Sequence, residues 1–105
     1  MHYLLVYELA PDYLERRGEF REQHLSLAWE AHDRGELVLA GALAEPADRA
    51  VLLFRADSPR VAEAFAAADP YVRRGLVRSW EVRRWNTAVG TDASAPVRPG
   101  GGHRS

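Results

Sequence analysis

The sequence predicts an α+β fold: a four-stranded antiparallel sheet carrying two helices on one face. Three observations lead there. Four segments rich in aromatic and aliphatic residues alternate with two amphipathic segments in the order βαββαβ. The two middle strand-like segments are joined by a short polar turn, which makes them a hairpin. And 105 residues suffice for one domain but not for two. The natural form of this order is the ferredoxin-like split βαβ arrangement.

Residues 2–9, His-Tyr-Leu-Leu-Val-Tyr-Glu-Leu, form the first strand, with Tyr3, Leu5, Tyr7 and Leu9 on one face. The opposite row, His2, Leu4, Val6 and Glu8, is also largely apolar, so both faces call for cover. Ala10-Pro11-Asp12 is a turn with an N-cap at Asp12, and residues 13 to about 34 are helical. Gly18 predicts a kink or a short leading turn. The buried stripe is Phe20, His24, Leu27 and Ala31, with Arg21 and Leu25 on its flank, and Gly35 stops the helix.

The second strand is 37–44, with Gly41 signalling a bulge or the close approach of a backbone or ligand. The third strand is 50–56. Asp57 or Ser58 caps the second helix, with Pro59 in its first turn and Val61, Phe65 and Ala68 facing inward. That helix must stop at Asp69, because Pro70 excludes the α region for the residue before it. Asp69 then caps the short turn Tyr71-Val72-Arg73-Arg74, which Gly75 closes ahead of a fourth strand at 76–85. The domain is therefore 1–89. Residues 90–105, rich in Gly, Pro, Ser and Arg, form a flexible tail.

The helices cover one sheet face only, yet strands one and three are apolar on both. The economical cover for the second face is another copy of the chain, so a homodimer is expected.

Composition excludes several functions. The net charge of −1 gives no electrostatic case for nucleic acid or an anionic membrane surface, and no apolar run approaches a membrane span. No secretory signal is visible and there is no cysteine, which fits the cytoplasm and rules out disulfides and thiol chemistry. All fourteen basic residues are Arg, so no lysine Schiff base is possible. His24, His32, Asp33 and Glu36 have no metal-ligand spacing, and no phosphate loop appears; neither metal nor cofactor is expected.

Asp69 can be a cap and nothing more, and His24 a core histidine bound to a backbone carbonyl. Together they can do more. A carboxylate accepting from one imidazole nitrogen fixes the tautomer and leaves the other nitrogen as general acid or base. Arg21, one turn before His24, is either a surface residue or a fork for a carboxylate or enolate. Tyr71 is a packing aromatic or a pocket wall, and Gly41 a bulge or a pocket floor.

Three segments resemble the YciI-like (YCII-related) domain family: Arg21-x-x-His24-Leu25; Gly35-Glu36-Leu37-Val38-Leu39-Ala40-Gly41; and Ala67-Ala68-Asp69-Pro70-Tyr71-Val72-x-x-Gly75. The resemblance spans roughly residues 2–89. It implies a fold similar to muconolactone isomerase and other dimeric α/β-barrel proteins, and a pocket with a His/Asp pair at His24 and Asp69. It also implies small-molecule lyase or isomerase chemistry, including removal of halide from ring compounds. Many relatives carry Pro after the Ala-Gly pair; this chain has Ala42, a difference that bears on pocket shape. The function expected is thus a cofactor-free enzyme acting on a small anionic cyclic or carbonyl metabolite. In it His24 and Asp69 are catalytic, and Arg21, Tyr71 and Gly41 bind substrate. The alternative is a non-catalytic ligand-binding or accessory dimer module, with a purely structural dimer behind it.

Overall fold

The computed structural model describes residues 1–100 of the 105. The elements are β1 (His2–Leu9), α1 (Tyr13–Asp33), β2 (Leu37–Ala42), β3 (Arg49–Arg55), α2 (Arg60–Ala68), α3 (Pro70–Arg73) and β4 (Val77–Trp85). The sheet order is β2-β3-β1-β4, and every neighbouring pair is antiparallel. This is the expected ferredoxin-like α+β fold.

Pleating sorts the residues of β1. Tyr3, Leu5, Tyr7 and Leu9 point to the helices and are all buried. Leu52 and Phe54 of β3 share that face, and Phe65 of α2 packs on Phe54 with ring centroids 5.5 Å apart. On the other face Leu4 and Val6 lie opposite Leu53 and Val51 and are half-buried. The outer face of His2 is covered by the segment after β4. His2 Nδ1 lies 2.7 Å from Thr87 Oγ1 and 3.1 Å from Ser94 Oγ. Ser94, Ala95 and Val97 of that segment belong to the expected tail; the amides of Ala95 and Val97 donate to the carbonyls of Thr87 and Ala88. Residues 101–105 of the tail lie outside the described residues.

Two local expectations are corrected. Gly18 does not break α1, which runs without interruption from Tyr13 to Asp33. One glycine costs a helix about 1 kcal/mol. Tyr13 before it and Phe20, Leu27 and Ala31 after it all pack on the core and hold the helix straight through that position. Gly41 is not a bulge: it pairs regularly with Val51, and the register shift falls between Leu37 and Leu39. There the strand leaves its connection to α1, and nothing in the residues at that point marks a bulge. Smaller shifts occur at the ends. β2 stops at Ala42, β3 starts at Arg49, and Pro59 occupies the N-cap of α2, with the Arg60 amide donating to Ser58 Oγ at 3.3 Å.

Two glycine substitutions should act in opposite directions. Gly18→Ala should stabilise by about 0.5–1 kcal/mol, because a Cβ there meets nothing within 4 Å and helix interiors favour Ala. Gly35→Ala should destabilise by about 1–2 kcal/mol, because Gly35 sits at φ +83° behind α1. Urea denaturation of the two variants against the wild type measures both.

Candidate functional site

Pro70 sets the site. It holds Asp69 in an extended conformation (φ −69°, ψ 123°) at the start of α3 and so turns the carboxylate under the helices. Asp69 is completely buried. Its Oδ1 accepts from the Tyr71 amide at 3.0 Å and from His24 Nδ1 at 2.9 Å; its Oδ2 accepts from the Tyr7 hydroxyl at 2.7 Å. Three donors surround the carboxylate, as a buried ionised acid requires. Each donor comes from a different element: α3, α1 and β1.

The His24 ring is clamped from two further sides. Tyr71 stacks on it at 4.0 Å and 11°, and Phe65 meets it edge-on at 6.4 Å. Because Nδ1 faces a carboxylate acceptor it carries a proton, which leaves Nε2 without one in the neutral ring. The His24 side chain is 17% exposed, enough to meet a ligand.

That opening is into a cavity of about 460 Å³ between α1 and the β2–β3 edge of the sheet. This is the size and position of a small-molecule site. Arg21, His24, Tyr71 and Gly41 all line it, while Asp69 sits behind His24 and does not. Gly41, paired with Val51 of the outer row, borders the cavity with its backbone, while the inward-facing residues of this wall, Ala40 and Ala42, are small. Among the described residues, neither Arg21 nor the neighbouring cavity residue Arg17 has a carboxylate within ion-pair distance.

The electrostatics agree with this layout. Burial drives the Tyr7 hydroxyl far above the ordinary tyrosine range, and the Asp69 charge and hydrogen bond push the same way. Tyr7 therefore stays a donor. Burial also raises the Tyr71 hydroxyl, with Tyr13 and Asp69 adding to the rise and Arg21 and Arg17 opposing it. Among the described residues no cluster of three or more His, Asp or Glu could hold a metal ion, and no helix is long and apolar enough to cross a membrane.

The family model for the YCII-related domain matches residues 1–86. The chain belongs to the YCII-related domain family. Two solved structures share the fold of this YCII-related chain. One is 5-chloro-2-hydroxyhydroquinone dehydrochlorinase (TftG) from Burkholderia phenoliruptrix AC1100 in complex with 2,5-dihydroxybenzoquinone. It superposes with a TM-score of 0.70 at 20% identity over 84% of this chain and 96% of that one. The other is protein Atu4242 from Agrobacterium tumefaciens, with a TM-score of 0.55 at 19% identity over 90% of this chain and 98% of that one. At these identities the likeness is one of fold. No curated protein matches.

Several site residues of the YCII-related chain escape sequence reasoning. Tyr7 belongs to the inward row of β1 and looks like any core aromatic. Arg17, Trp29 and His32 line the cavity with Arg21 and His24. Extending the helical stripe backward by four from Arg21 and forward by eight from His24 reaches Arg17 and His32.

Tyr7→Phe leaves Asp69 Oδ2 without its donor and should cost about 1–3 kcal/mol, seen as a lower melting temperature. The alkaline limb gives a second check. Tyr7 and Tyr71 are both raised in the fold, so their contribution is complete below the unfolded value of about 10 and is lost as pH rises toward the folded values. Stability of the wild type should fall above about pH 10, and Tyr7→Phe should show a shallower fall.

Proposed function

We propose that this protein is a cofactor-free lyase or isomerase acting on a small anionic metabolite, cyclic or carbonyl-bearing. The observation that carries the reading is the His24–Asp69–Tyr7 chain of hydrogen bonds ending at the cavity. His24 is the acid/base, and Asp69 orients it and stabilises the imidazolium that forms. Arg21 and Tyr71 hold the substrate anion, and Gly41 gives room for its ring.

The chemistry is balanced without any further reactant. Nε2 of neutral His24 takes the proton on carbon next to a carbonyl, and the C–H electrons move into an enolate whose oxygen lies toward Arg21. In elimination the enolate electrons re-form the carbonyl, a new C=C bond forms, and a leaving group departs from the adjacent carbon with its electron pair. In isomerisation the imidazolium returns the proton to a different carbon. The fold relative acting as a dehydrochlorinase supports the elimination branch for this chain. We also assign the working form to a homodimer. Leu4, Val6, Val51 and Leu53 form an apolar strip on the sheet face away from the helices, and Leu39, 74% exposed, extends it.

Asp69→Asn should move the ring resonances of His24 in NMR spectra, and it should slow turnover of enolisable cyclic anions by about 10²–10⁴-fold. An unmoved ring sinks the dyad. Equal rates for wild type and His24→Ala across halogenated hydroxyquinols and cyclic diketones leave only a ligand-binding protein. Sedimentation at micromolar concentration should give a dimer; a monomer contradicts the paired sheets.

A further inference from the structure

The cavity is longer than the chemistry of one ring requires. Helix α1 lines it at positions from Tyr13 to His32, nineteen residue steps apart, or about 28 Å of helix. Arg21 and Trp29 alone are eight residues apart, about 12 Å along the axis.

Its lining also changes character along that length. Arg17, Arg21 and Tyr71 line the cavity together with His24. Beyond His24, α1 presents Leu25, Ala28 and Trp29, and β2 faces them with Leu37 and Ala40. None of these five is charged. Trp29 is 61% exposed, so a large apolar side chain stands in water on the rim of the cavity. His32 lies at the far end. Its Nδ1 donates to the Leu37 carbonyl at 2.8 Å and ties α1 to β2 there, and its ring meets Trp29 edge-to-face at 5.2 Å.

We propose that the ligand is an anion bearing an extended apolar arm, bound with its charged head by Arg17, Arg21 and His24 and its arm along α1 against Leu25 and Trp29. This rests on the anion-binding part of the function proposed above and adds the substrate class. Charge complementarity fixes the direction: a carboxylate or enolate head meets two unpaired cations, and an uncharged arm meets an uncharged wall. Burying the arm removes the exposed apolar surface of Trp29 from water, which is where the added affinity arises.

The test compares benzoate with biphenyl-4-carboxylate by titration calorimetry on the full chain at pH 7. The longer carboxylate should bind at least tenfold more tightly. Trp29→Ala should narrow that preference to under threefold; Leu25→Ser should narrow it too, and serves should Trp29→Ala not fold. Arg21→Ala should weaken both compounds by a common factor and keep their ratio. Equal binding of the two by the wild type overturns the arm while leaving the anion site standing. Binding of neither overturns the anion site and the arm with it. A preference unchanged in Trp29→Ala and Leu25→Ser overturns the inference, and a change in oligomeric state in Trp29→Ala alongside it assigns Trp29 to a contact between copies.

Discussion

A carboxylate taken out of water must find its hydrogen bonds inside the protein, and at Asp69 that requirement organises the molecule. Leaving it unpaired would cost several kcal/mol. Its donors come from β1, α1 and α3, so satisfying one group brings three elements into fixed relation. The same atoms then serve two ends. Oδ1 caps the turn that Pro70 begins and also holds the His24 ring in one tautomer. Structure and candidate chemistry are therefore not separable at this residue, and any substitution there removes both.

The layer between helices and sheet is unequal in its two halves. Under α2 the space is filled: Leu5, Phe54, Phe65 and Ala66 are each at most 5% exposed. Under α1 it is not, although α1 is the longer helix. The difference lies in side-chain volume. Ala28 on the helix faces Ala40, Ala42 and Ala50 on the sheet, and these residues cannot fill the gap between two backbones. The cavity is thus written in small residues, and the rigid elements on either side keep it from collapsing.

Much of this was legible in the residues. Alternation marked β1 to the residue, and Asp-Pro marked the end of α2 and the cap of α3. The stripe through Phe20, His24, Leu27 and Ala31 fixed which way the imidazole turns. The rest was hidden for physical reasons. Tyr7 shares its row with Tyr3, Leu5 and Leu9, and only the fold shows that its hydroxyl meets a carboxylate sixty-two residues away. Gly18 and Gly41 carry strong local signals that tertiary packing overrides. Conversely, the bulge between Leu37 and Leu39 has no Gly or Pro to announce it, because its cause is the geometry with which the chain enters an edge strand.

That bulge has an effect on the site. With strict alternation from Leu37, Leu39 would share its face and Val38 would point away. Instead the extra residue places Leu39 opposite Leu53, in the row that faces away from the helices, while Leu39 still lines the cavity. One residue therefore borders both the cavity and the apolar strip on the outer face of the sheet. A copy of the chain docked on that strip would reach the cavity's edge through Leu39. Ligand binding and assembly would then be linked, since whatever binds one state better must favour that state. Such a linkage would need no moving part; it would follow from a single inserted residue in an edge strand.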